Sequence, residues 1–232
     1  MNFEFARKEL TRELSQKGIK DPRVLEAVYQ IPRHEFVDAT FTSRAYQDMS
    51  LPIGHQQTIS QPFVVAKMTE LLIQGNILDQ KPLGAVLEIG TGCGYQTAIL
   101  ARFCRKVFSL ERIEALSLRA DNNLKKVGID NYQLRWSDGT LGWPTPKKFD
   151  AIICTAAISQ IPKKLKTQLE VHGKLICPVG DGKKQHLLLL EKKSKDEFHE
   201  TILDSVLFVP MLEGKVSDCL LYTSDAADES LC

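Results

Sequence analysis

Four short stretches of this chain combine residue types and spacing that could do chemistry. The first is Leu87-Glu88-Ile89-Gly90-Thr91-Gly92-Cys93-Gly94-Tyr95. Glycines directly after a buried strand and before a helix permit a tight turn and let a ligand lie against bare backbone. The second is Glu111, 21 residues beyond Gly90, where a carboxylate at a strand end can accept hydrogen bonds from both hydroxyls of a ribose. The third is Asp138-Gly139, whose carboxylate could accept an adenine amino group while the glycine leaves room for the ring. The fourth is Thr58-Ile59-Ser60, two hydroxyls on alternate residues just ahead of Pro62. Each has a plainer reading. The glycines could form a simple strand-to-helix turn, Glu111 could favour a helix start, Asp-Gly could be only a turn, and Ser60 could cap the following helix. Taken together, three features at the ends of successive strands point to one crevice, the place where open parallel sheets bind ligands.

Those positions make sense only if the elements around them alternate. Phe3, Ala6, Leu10 and Leu14 recur at helical spacing until Gly18, and Asp21-Pro22 opens a second helix whose stripe is Val24, Leu25, Val28 and Tyr29. Pro32 closes it. Pro52 and Gly54 begin a polar loop, HQQTISQP, before a helical stretch from Phe63 to Ile73. From residue 84 onward, strands are expected at 85–89, 107–110, 132–136 and 149–156, with helices at 95–103 and 113–127 between them. A helix at 165–169 is followed by strands in KLICPV, HLLLLEKK and ILDSVLFVP. Regular β–α alternation predicts a mostly parallel sheet covered on both faces.

Composition narrows the function classes. Thirty Lys and Arg against 29 Asp and Glu leave a net charge of +1, so no overall field draws the chain to nucleic acid or an acidic membrane. No signal-peptide run opens the sequence and no stretch of 18 apolar residues occurs. Six cysteines, at 93, 104, 154, 177, 219 and 232, form no CxxC pair and have few histidines near them. Reduced thiols in a cytoplasmic protein are expected, with neither zinc nor redox chemistry. Nothing basic neighbours Cys93, which argues against a catalytic thiol there.

The dinucleotide pattern G-x-G-x-x-G would require glycine at 95, where Tyr95 stands. The spacing G-x-G-x-G instead resembles the first motif of the class I methyltransferases. Over residues 7 to 216 the chain is identified as a member of the bacterial protein-L-isoaspartate O-methyltransferases. The matching stretches include IPRHEFV, LPIG, QTISQP, VLEIGTGCGYQTAILA, FDAIICTAA and QLEVHGKLICPVG. The resemblance implies a seven-stranded, mostly parallel α/β sheet of Rossmann-like type, with an N-terminal helical region and substrate loop (1–62) and a cofactor-binding core (63–218). It implies S-adenosyl-L-methionine as cofactor, with S-adenosyl-L-homocysteine as product. Glu88, Gly90, Thr91, Gly92, Gly94, Glu111, Asp138 and Gly139 are then the cofactor residues. Thr58, Ile59 and Ser60 meet the substrate, and Ser60 is the functional serine.

The implied partner is a damaged protein or peptide carrying L-isoaspartate, met by a cytoplasmic monomer that binds neither nucleic acid nor membrane. The methyl ester of the isoaspartyl α-carboxylate collapses to a succinimide, which reopens partly to normal aspartate. A sulfonium methyl is already activated, so no base, metal or covalent nucleophile is called for, and catalysis becomes mostly positioning. Hydroxyls such as Thr58 and Ser60 can orient a carboxylate without quenching it as a Lys or Arg ion pair would. The chain departs from the family at Gln56 and Ser137, both usually glycine, and at Cys93, usually serine. Two other readings stay open: a class I methyltransferase for a small molecule or RNA, and a cofactor-binding scaffold without catalysis. Residues 219–232, small, acidic and turn-rich, are expected to be a non-native or disordered tail.

Overall fold

A computed structural model describes residues 2–74, 82–182 and 184–217; the expected tail at 219–232 lies outside them. Two capped helices open the chain. The Asn2 side chain accepts the Phe5 amide at the start of α1 (Phe3–Gln16), and Asp21 accepts the Arg23 amide at the start of α2 (Pro22–Gln30). Leu10, Leu14, Val24, Ala27 and Val28 turn inward, while Leu25 and Tyr29 of the expected stripe are only half buried. Two short 3-10 turns then lead to β1 (Leu51–Gly54) and β2 (Gln57–Ile59).

This last pair corrects the expectation of a loop. Leu51 pairs with Ile59 and Pro52 with Thr58 in an antiparallel hairpin. Its turn puts His55 at φ 50° and Gln56 at φ 57°, a left-handed conformation normally marked by glycine or asparagine. Without those residues the turn left little trace in the sequence. Helix α3 (Pro62–Ile73) follows, with proline in its first turn.

The core is a single seven-stranded sheet. Its strands are β3 (Leu83–Ile89), β4 (Cys104–Glu111), β5 (Tyr132–Trp136), β6 (Phe149–Cys154), β7 (Leu169–Asp181), β8 (Lys184–Lys192) and β9 (Phe198–Val206). They lie in the order β5-β4-β3-β6-β7-β8-β9. The first five are parallel, and β8 and β9 complete an antiparallel meander. Alternate residues serve opposite faces. Val86, Ala151, Ile153, Ile176, Leu187 and Leu189 pack with α1–α3, α4 (Tyr95–Leu100) and α5 (Glu114–Lys126). Leu87, Ile89, Ile152, Cys154, Leu175 and Cys177 pack with Trp143 and Leu165 of α6 (Lys163–Gln168). Burial on both faces explains why these strands read as continuous apolar runs.

Strand β3 has β4 on one side and β6 on the other, so the chain order reverses at its carboxyl end. Gly90 therefore sits at the topological switch point of the sheet. No described helix is long and apolar enough to cross a membrane.

Candidate active site

The glycine turn after β3 is fastened to its neighbours. The Gly90 amide donates to the Leu110 carbonyl at 2.8 Å and the Gly92 amide to Glu111 Oε2 at 2.8 Å. From the other side, Thr155 Oγ1 donates to the Gly90 carbonyl at 2.6 Å. Gly90 has φ 95°, and a Cβ there would fall 2.4 Å from that hydroxyl, so glycine is required twice over, by backbone and by space. A Cβ on Gly139 would stand 2.3 Å from Ile89 Cγ2. The segment after β5 can thus lie close to the end of β3 only with glycine at 139.

These turns form the floor of a cavity of about 870 Å³, its open mouth included. Gly90, Thr91, Gly92, Glu111 and Gly139 of the expected cofactor set line it, as do Thr58, Ile59 and Ser60 of the expected substrate set. Glu111 is 5% exposed. Its Oε1 accepts the Ile113 amide at 2.9 Å, and Oε2 the Gly92 amide. Burial raises its pKa, an effect partly offset by those amides. Each oxygen keeps acceptor capacity for a ligand hydroxyl.

Three expected residues stand back from the cavity lining. Gly94 begins α4 at φ 92°. Glu88 is wholly buried, and its Oε2 accepts Ser109 Oγ at 2.6 Å and the Thr97 hydroxyl. Ser109 in turn meets Thr91 Oγ1 at 2.6 Å, so Glu88 reaches the glycine turn only through two hydroxyls. Its Oε1 is buried without a hydrogen-bond partner among the described residues. Burial pushes the carboxyl up to about 7, against the two hydroxyl bonds that favour its charged form.

Asp138 does not line the cavity either. Its Oδ1 accepts the Thr140 amide and hydroxyl at 2.8 and 2.7 Å, and its Oδ2 accepts the Gly214 amide at 2.7 Å. Burial works to raise its pKa, but the amides of Gly214 and Thr140 and the Thr140 hydroxyl outweigh it and hold the carboxyl below its usual range. In this structure Asp138 ties down a strap formed by the last described residues. Met211 donates to the Ala157 carbonyl, Val216 to the Arg112 carbonyl, and Arg112 Nε to the Gly214 carbonyl. The strap sets Val209, Pro210, Met211 and Leu212 into the cavity wall. Sequence reasoning missed these residues and Thr155. Only Thr155, a hydroxyl directly after a buried strand at the switch point, carried a local signal.

A second hollow is lined by Ser50, Gln61, Val64 and the stretch from Ser205 to Val209. It shares Thr58, Ser60, Thr155 and Val209 with the first. Thr58 and Ser60 therefore stand where the two meet. Gln61 occupies the N-cap of α3 and its side chain makes no capping bond. Among the described residues the Ser60 hydroxyl has no hydrogen-bond partner, so it does not cap that helix. Among the described residues, no group of three His, Cys, Asp or Glu could hold a metal ion. Cys93 is buried, and burial raises its pKa, which suits an inert thiol.

The chain matches known proteins over most of its length. A family model described as protein-L-isoaspartate(D-aspartate) O-methyltransferase matches residues 5–216. A protein-L-isoaspartate O-methyltransferase of Pseudomonas paraeruginosa is 46% identical over 217 residues, covering 94% of this chain and all of that one. Its counterpart in Methylobacillus flagellatus is 48% identical, covering 92% and 95% of the two chains. Among solved structures, a Plasmodium falciparum protein described as a protein-L-isoaspartate O-methyltransferase, in complex with S-adenosyl-L-homocysteine, superposes with a TM-score of 0.77. It is 28% identical and covers 89% of this chain and 98% of its own.

Proposed function

The chain belongs to the protein-L-isoaspartate(D-aspartate) O-methyltransferase family, and on that premise we propose how its residues divide the work of methylating an isoaspartyl carboxylate. The enzyme transfers a methyl group from S-adenosyl-L-methionine to L-isoaspartyl residues of damaged proteins, the first step of their repair. Bound S-adenosyl-L-methionine supplies an activated methyl on a sulfonium, and the chain's own task is to hold two partners in line.

The residues present fit that cofactor. Glu111 offers a buried carboxylate with spare acceptor capacity at the end of β4. Gly90, Gly92 and Gly139 offer bare backbone, and Ile113 and Met211 apolar walls. We assign Glu111 to the ribose hydroxyls, and Gly90, Thr91, Gly92 and Gly139 to backbone contact. Glu88 and Gly94 shape the turn from behind, and Asp138 acts chiefly through the strap.

Ser60 and Thr58 receive the substrate carboxylate. The observation that carries this reading is the Ser60 hydroxyl, without a hydrogen-bond partner among the described residues, at the junction of the two hollows. A hydroxyl committed to neither cap nor neighbour can donate to a carboxylate and fix its approach, while leaving its charge largely unquenched. Polar but uncharged neighbours, Ser50 and Gln61, suit an extended peptide read by shape and hydrogen bonds. The four described cysteines are free and buried, in keeping with a reducing cytoplasm.

The test is methyl transfer to a synthetic isoaspartyl peptide and to the same peptide with normal aspartate. Base-labile methyl ester on the isoaspartyl peptide alone is expected. Equal labelling of both, or of neither while S-adenosyl-L-homocysteine binds, would overturn the substrate assignment.

A further inference from the structure

Outside the cavity walls one buried carboxylate has no part in the mechanism above, yet holds the residues that directly follow Ser60. Asp48 lies in the turn before β1, with its side chain 2% exposed. Its Oδ1 accepts the Phe63 amide at 2.7 Å, and its Oδ2 accepts Gln61 Nε2 at 2.9 Å and Lys17 Nζ at 2.6 Å. Helix α3, lacking a side-chain cap of its own, thus receives one from 15 residues upstream. A carboxylate there satisfies a free amide and lies favourably against the positive end of the helix. The turn bearing Asp48 is itself held. Arg33, fully buried, donates from Nε to the Ala45 carbonyl at 2.9 Å and from Nη2 to the Met49 carbonyl at 3.2 Å.

Ser60 sits between two anchors. Before it, Ile59 is paired with Leu51 in the hairpin; after it, Gln61 and Phe63 are both tied to Asp48. We propose that Asp48 is a positioning residue for methyl transfer, setting where the Ser60 hydroxyl stands without touching substrate or cofactor. The proposal rests on the reading of Ser60 given above. Displacements of about 1 Å at such a residue can cost on the order of a hundredfold in rate, so the anchor is expected to register in turnover.

The test is a double-mutant cycle read as kcat per folded enzyme on isoaspartyl peptide, with S-adenosyl-L-homocysteine affinity measured alongside. Asp48→Ala should lower kcat about tenfold or more and leave cofactor affinity within about threefold. Asp48→Asn keeps an oxygen for the Phe63 amide and should recover much of that loss. In a Ser60→Ala background the same substitutions should cost less than about twofold, because the group they position is gone. An equal loss in both backgrounds, or wild-type kcat in folded Asp48→Ala, would overturn the proposal while leaving Ser60's role standing. Should Asp48→Ala not fold, Asp48→Asn carries the same cycle: its smaller loss must also vanish without Ser60. Wild-type turnover in Ser60→Ala alone would remove both readings.

Discussion

The two halves of the site are built in opposite ways. The proposed cofactor half is made by the sheet: Glu111 ends one strand, and Gly90, Gly139 and Thr155 follow three others that parallel pairing brings to the same edge. Its ties are short and local, from strand to neighbouring strand, and a buried chain from Glu88 through Ser109 to Thr91 lies beneath it. The substrate half is a hairpin and a helix start outside the sheet, hung from distant side chains. Arg119 of α5 donates from Nη1 to the Ile53 carbonyl at 3.0 Å, and Asp48 holds the start of α3. On the division of work proposed above, the cofactor is held by the ends of the sheet strands, and the substrate side is attached to that frame by side chains from α5 and from the turn before β1.

The comparison predicts separable failures. The largest effect is expected under the cofactor half. A carboxyl with a folded pKa of about 7, against an ordinary 4.5, holds its proton more tightly when folded. Glu88 should therefore leave stability highest below pH 4.5, let it fall as pH rises from 4.5 to 7, and add no further slope above. The full span is about 3 kcal/mol. Glu88→Gln should flatten most of that slope in denaturant midpoints measured across the range; an unchanged slope would show that Glu88 stays ionised. Next, Glu111→Ala should weaken S-adenosyl-L-homocysteine binding by about 1.5–3 kcal/mol in calorimetry, since a charged acceptor is lost. Wild-type affinity would remove Glu111 from the cofactor site. The smallest effect belongs to the substrate half. Gln56→Gly should raise stability by about 1 kcal/mol, because glycine adopts φ near 57° without strain. A lower melting temperature would mean that the Gln56 side chain contributes contacts that outweigh the strain.

The same division governed what could be read from sequence. The sheet half was legible because both causes are local: buried strands as apolar runs, and glycines at their ends. The strand expected at 132–136 stands there. Those expected at 85–89 and 107–110 run longer, as Leu83–Ile89 and Cys104–Glu111, and the one expected at 149–156 stops at Cys154, while the glycine turn and Glu111 lie at their ends. Strand β7 begins at Leu169 rather than near 174, ahead of a His172 at φ 69° and Gly173, which interrupted its pattern. Asp138 was read from the sequence as a ligand contact, and its bonds to Thr140 and Gly214 could not be read there. The Gly214 partner is 76 residues away and invisible to any local pattern. The hairpin, the strap at 209–212 and the Asp48 cap were missed for the same reason. Each depends on contacts between segments whose own sequences announce nothing.

The central claim is that Ser60 acts on the substrate and not on the fold or the cofactor. The most direct measurement is methyl transfer by Ser60→Ala to isoaspartyl peptide, normalised to folded protein, at saturating cofactor and peptide. Because the hydroxyl caps no helix, the melting temperature and S-adenosyl-L-homocysteine affinity should stay close to wild type while kcat falls about tenfold or more. Wild-type kcat in that variant would contradict the account.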